Sequence, residues 1–200
     1  MSNKCNFQSN IDEHTKYLLD AFQTYTGNYE DSPEVIDVKK RYLEMAKEVT
    51  EGYLGYPIDL HQVEETHVFI GSKDFYLKSF PVQEVYNVIL ADGTYLPAPY
   101  YTLRGDHVRI QFPKDDFFAE SCRLWKNDEI TIVYAAGYRQ LPDIITQTIL
   151  RIASLLQTEA NGNIGLSGKS FSDNSRSFIS YANYDKYLSP LYPLRIVRLV

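Results

Sequence analysis

The stretch Gly162-Asn163-Ile164-Gly165-Leu166-Ser167-Gly168-Lys169-Ser170 has the composition of a loop that cradles phosphates on its backbone N–H groups. That chemistry needs G-x-x-x-x-G-K-[ST], which places the first glycine at position 163, and position 163 is Asn. The motif must also follow a strand and open a helix, whereas this run follows a helical pattern, so phosphate binding is set aside. The four histidines are His14, His61, His67 and His107. His61 and Glu64 have i, i+3 spacing but lie where a helical pattern gives way to a strand pattern, and no third ligand follows. His107 alternates to the polar side of its strand, which predicts a solvent-facing ring. Cys122 reads as a small core residue, and Cys5 lies near the N-terminus with no base in a pattern that would activate it. The neighbours Asp115-Asp116 and Glu64-Glu65 point different ways along the chain, so neither pair supplies the converging carboxylates of a glycosidase. No catalytic residue, metal site or cofactor is expected, and the chain reads as a non-enzyme.

The elements that would carry such residues are legible from periodicity. Residues 11–25 repeat Tyr17, Leu18, Ala21, Phe22 and Tyr25 at helical spacing and stop at Gly27-Asn28. A second helix opens at Ser32-Pro33, with Glu34 and Asp37 near its positive end. Its expected apolar face is Val35, Val38, Tyr42, Met45, Ala46, Val49 and Tyr53, and Gly52 or Gly55 ends it. Lys39-Lys40-Arg41 is assigned to the solvated side. From about residue 65 the period falls to two. Strands are expected over 66–70, 75–80, 84–91, 94–97, 107–112 and 129–134, with turns at Asp92-Gly93, Gly105-Asp106 and Lys126-Asn127-Asp128. Pro142-Asp143 opens a third helix to about residue 159, whose wide stripe of Ile145, Ile149, Ile152 and Leu156 predicts burial on more than one side. The fold class is α+β: two N-terminal helices, a small antiparallel sheet or sandwich, a long third helix and an extended C-terminal arm.

The chain has 200 residues, with 20 Lys and Arg against 26 Asp and Glu. Residues 1–100 hold 8 basic and 16 acidic side chains, while residues 101–200 hold 12 and 10, so the acid excess belongs to the first half. That balance argues against sequence-blind binding to nucleic acid. No apolar run approaches the length of a membrane span, and no charged-then-apolar leader is visible. The 17 tyrosines lean toward large interfaces, where a ring packs at one end and stays wet at the other. Four of them cluster late, at Tyr181, Tyr184, Tyr187 and Tyr192. The expected organisation is a core over 1–160, a Gly/Ser/Asn-rich linker over 161–180 and an aromatic docking arm over 181–200.

One series of motifs is familiar. Ile130-Thr131-Ile132-Val133-Tyr134-Ala135-Ala136-Gly137-Tyr138, then Leu141-Pro142-Asp143-Ile144 and an apolar helix, resembles the hallmark of the head–tail connector (adaptor, or head-completion) proteins of tailed bacteriophages. The two upstream helices, Gly55-Tyr56-Pro57, and Phe80-Pro81-Val82-Gln83-Glu84-Val85 leading to Asp92-Gly93 resemble the same family, so the likeness spans residues 11–160. At its centre is a turn formed by Tyr134, Gly137, Tyr138 and Pro142. Gly137 permits a sharp exit, Pro142 presets the helix start, and the two tyrosines could pack across the turn. The resemblance implies a non-catalytic, dodecameric ring of self-copies in the virion neck, assembled in the host cytoplasm. Such a ring lies between a portal protein and a tail or further connector protein. It extends a channel through which DNA passes without specific binding, and involves no membrane.

A ring that closes head to tail needs two different sticky patches per subunit. The arm and the core surface would supply them, with Tyr181, Tyr184, Tyr187, Leu188, Tyr192, Arg195 and Arg198 as the interface. The acidic helical half would face the lumen, where like charge keeps DNA from adhering. The competing expectation is a carbohydrate- or receptor-binding β module with tyrosines gathered on one exposed face.

Overall fold

A computed structural model describes residues 7–112, 124–160, 166–169, 176–178 and 183–195. Cys5, Asp115-Asp116, Cys122, Tyr181 and Arg198 lie outside the described residues. The expected α+β class holds. In chain order the elements are α1 (Phe7–Thr26), α2 (Pro33–Leu54), β1 (His61–Val68), β2 (Asp74–Tyr76), β3 (Val82–Ile89), β4 (Tyr101–Arg104), β5 (His107–Ile110), β6 (Glu129–Ala136), α3 (Asp143–Thr158), β7 (Leu166–Lys169), β8 (Arg176–Phe178) and α4 (Asn183–Leu188). They fall into two compact units, one built on Pro57–Arg139 and the other on Gln8–Tyr56 together with the chain from Gln140 onward.

The first unit holds two antiparallel three-stranded sheets, ordered β1-β6-β3 and β2-β5-β4. Val108 and Ile110 of the second sheet share one buried cluster with Ile130, Ile132 and Tyr134 of the first, so the sheets close over a common core. β6 is the central strand of its sheet and its residues from Ile132 to Ala136 are all buried, as a strand covered on both faces must be. Several strand assignments shift: the expected 75–80 strand is confined to Asp74–Tyr76, and β4 was not expected. β1 starts at His61 rather than 66, which places His61 and Glu64 on a strand, where i, i+3 residues face opposite ways. The 94–97 stretch contributes only a bridge at Ile89–Tyr95 across the Asp92-Gly93 turn, and the full partner of β5 is β4, joined through Gly105-Asp106.

In the second unit α2 packs on α3. The row that α2 buries is Lys39, Leu43, Ala46, Thr50 and Leu54, one residue away from most of the expected stripe. Leu43 and Leu54 win the interior, while Val38 and Met45 are left 44% and 48% exposed. Lys39 is correspondingly not on the solvated side. Its stem is buried and its Nζ donates to the Asn28 and Glu30 carbonyls at 2.8 and 2.9 Å, tying down the α1–α2 loop. Ser32 occupies the N-cap position ahead of Pro33 but makes no side-chain cap bond, and Gly55, at φ 85°, ends the helix.

The Gly/Ser/Asn-rich stretch contains a ladder that periodicity did not reveal. β7 and β8 pair antiparallel, Leu166 opposite Phe178 and Lys169 opposite Arg176. The Gly-Lys pair at 168–169 therefore lies in a strand.

β6 leaves its sheet through Gly137, whose φ of +107° is open to glycine and strained for other residues. A Cβ there would stand 2.1 Å from the Asp59 carbonyl oxygen and 2.9 Å from Leu60 Cα. Both obstacles are backbone, so nothing can swing aside. Gly137→Ala should cost about 3 kcal/mol or more, read as a large fall in the urea midpoint or as loss of soluble protein; a wild-type midpoint would show that the exit relaxes.

Candidate functional site

The family-like turn is built from three segments that meet at Gly137. Its N–H donates to the Pro81 carbonyl at 2.9 Å, its carbonyl accepts from Gln83 Nε2 at 2.8 Å, and Tyr138 N–H donates to the Ile58 carbonyl at 2.9 Å. Tyr138 thus continues as a bridge to Asp59. Pro142, at φ −60° and ψ 143°, is the N-cap residue of α3, and its carbonyl accepts from the Ile145 and Thr146 N–H groups at 3.0 Å. The proline fixes the backbone from which the helix starts.

Tyr134 does not serve the turn. It is fully buried, and its hydroxyl donates to Glu65 Oε1 while accepting from the Ser79 N–H at 3.1 Å. Glu65 also accepts from the Lys78 N–H at 3.0 Å, and His67 Nε2 stands 3.3 Å from its Oε2. Burial pulls the Glu65 carboxyl up, but His67, Tyr134 and the Lys78 N–H together outweigh it and hold the group below its ordinary value. Burial, then the bond to Glu65, push the Tyr134 hydroxyl up. These groups cross-link β1, β6 and the 78–79 segment. The signal was present in β1, where Val63, Glu65 and His67 share one face; starting the strand at 66 hid it.

A second polar cluster joins β2 to β5. Arg109 binds Asp74 in two-pronged fashion, both contacts 2.5 Å, with His107 Nε2 3.7 Å from the same carboxylate and the His107 ring 5.1 Å from that of Tyr76. The Arg109 guanidinium holds Asp74 below the usual carboxylate range. His107 is half-buried in this cluster, contrary to the solvent-facing ring expected of it. Among the described residues no group of three or more His, Cys, Asp and Glu side chains could hold a metal ion. No helix among them is long and apolar enough to cross a membrane.

The arm departs from expectation in its packing. An apolar tail beyond a Gly-rich stretch was expected to dock away from its own core, yet residues 183–195 lie on α2 and α3 of the same chain. Leu188 and Leu191 are buried, Tyr56 Oη donates to the Leu194 carbonyl at 2.9 Å, and Thr148 Oγ1 lies 3.4 Å from the Tyr187 carbonyl. Arg195 stacks over the Tyr53 ring at 5.1 Å. Pro190 and Pro193 shape the 3₁₀ turn that follows α4 and bring Leu191 inward. Of the expected interface residues, Leu188 is thus spent inside the chain, Tyr184 and Tyr187 are half-buried, and Tyr192 is 62% exposed. Among the described residues both units expose aromatics, Tyr17, Tyr25, Tyr29 and Tyr192 in one and Tyr76, Tyr95 and Trp125 in the other.

Two measurements check these networks. Glu65→Gln should cost about 1–3 kcal/mol at neutral pH. Because the folded Glu65 carboxyl lies low, its ionic contribution is present above the ordinary carboxylate range and is lost as pH falls through the folded value. The gap between wild type and Glu65→Gln should therefore narrow in urea titrations taken below about pH 4. Leu191→Ala should cost about 2–5 kcal/mol, whereas a neutral result would mean that the arm is not packed on its own helices.

No protein-family model matches the chain, and no curated protein matches it. Solved structures do. A chain in the neck of an empty gene transfer agent (GTA) particle, computed with C6 symmetry, superposes with a TM-score of 0.53 at 16% identity, over 91% of this chain and 90% of that one. A chain in the virion of the native GTA particle gives 0.54 at 17% identity, over 93% and 90%. At such identity the likeness is one of fold, and it spans both units: this chain has the α+β fold of a component of the GTA neck.

Proposed function

We propose that the chain is a structural, non-enzymatic subunit of a phage-type virion neck, forming a ring between portal and tail that extends the DNA channel. The observation that carries this reading is the shared fold over nine-tenths of both chains with a component of the GTA neck. The β6–Gly137–Pro142–α3 passage adds to it, because the motif that resembles the head–tail connectors is the passage whose geometry is most constrained. The C6 symmetry of that neck supports a cyclic assembly of self-copies, for which a dodecamer is the expected size. In this reading the portal protein lies on one side and a tail or further connector protein on the other, and DNA passes through without specific contacts. The acid-rich helices of the first half would line the channel and repel it.

Native mass measurement of the full chain, alone and with a portal protein, tests the reading. The expected result is a closed oligomer whose subunit number is a multiple of six, free or on the portal. A chain that stays monomeric under both conditions would overturn it.

A further inference from the structure

α2 carries a buried row and an apolar outer row, offset by one residue and hence by about 100° around the helix. The inner row faces α3. The outer row, Val35, Val38, Tyr42, Met45 and Val49, repeats at spacings of three and four residues, as a seam for another helix or chain would. Val38 and Met45 are exposed and the other three half-buried. A solvated helix face is ordinarily polar, so this row is an unpartnered apolar surface. It is bordered by Glu34, Asp37, Arg41, Glu44 and Glu48, all exposed, four acids to one base.

The same unit offers a surface of opposite sign. On the arm, Lys186, Tyr192 and Arg195 are exposed, with Asp185 as the acid among them, and Ile144 stands out from the adjacent start of α3. We propose that the outer row of α2 in one subunit receives the Lys186–Tyr192 surface of the arm in the next, so that a second copy of this chain covers both. The proposal rests on the ring reading and names the contact that closes the ring. A head-to-tail contact uses two different patches, and every copy carries one of each. Charge favours this pairing over its alternative. A two-fold contact of α2 with α2 would set acidic borders against each other, whereas the arm brings net positive charge to the acidic rim.

Two full-length variants test the contact, Met45→Glu on the α2 row and Tyr192→Glu on the arm. Both positions are exposed, so circular dichroism and the thermal midpoint should match wild type. Each variant alone should raise the concentration needed for ring assembly at least ten-fold, followed by native mass measurement with and without purified portal rings. Mixed in equal amounts, they retain one intact contact between them and should give a one-to-one dimer but no ring. Rings formed by Met45→Glu as readily as by wild type would overturn the assignment of α2 while leaving the ring reading in place. Loss of rings in both single variants with no dimer in the mixture would overturn the pairing of α2 with the arm. A wild-type chain that never assembles would overturn the ring reading itself, and this contact with it.

Discussion

The close approach of Gly137 to the Asp59 carbonyl is the constraint on which the described structure turns. β6 is the one strand hydrogen-bonded on both sides in its sheet, and it must hand the chain on to α3 within a few residues. The only backbone that fits passes between the 58–60 segment and Pro81, with hydrogen bonds to both sides and no room for a side chain. Around that passage the other polar groups are arranged to hold β6 still. Tyr134 and Glu65 lock it to β1, and Gln83 locks its exit to the start of β3. A buried polar group is costly unless it is satisfied, and Glu65 and Tyr134 are satisfied by the Lys78 and Ser79 N–H groups as well as by each other.

Much of this was legible in the sequence because glycine and proline punctuate it for physical reasons. Gly137, Pro142, Gly55 and the Asp92-Gly93 turn lie where their conformational preferences place them, and the three long helices follow from apolar periodicity. What escaped the sequence were the positions where two readings compete. α2 has two candidate rows one residue apart, and periodicity cannot say which is buried; the choice fell to Leu43 and Leu54, with Lys39 recruited to bond loop carbonyls. Glu65 falls outside the expected strand because β1 begins at His61, earlier than its most regular alternation. The arm looks detachable because it is an apolar tail beyond a Gly/Ser/Asn-rich stretch, yet Pro190 and Pro193 make the turn in which Leu191 is buried.

Gly168-Lys169 lies in β7, and His61 Nδ1 stands 2.8 Å from the Asp59 carbonyl oxygen. Among the groups with displaced pKa values, Glu65, Tyr134 and Asp74 are each engaged in holding strands together. Perturbed titration marks functional sites only as a tendency, and structural ion pairs produce the same signature. Surfaces are where this chain departs from an ordinary solvated domain, with apolar side chains in water along α2 and aromatic ones on both units.

We propose that the chain is a subunit of the neck of the particle. Electron microscopy of intact virions carrying a visible label fused to this chain measures that directly. Label confined to the junction of head and tail is the predicted result, and label on the tail tip, on fibres or over the capsid surface would contradict it.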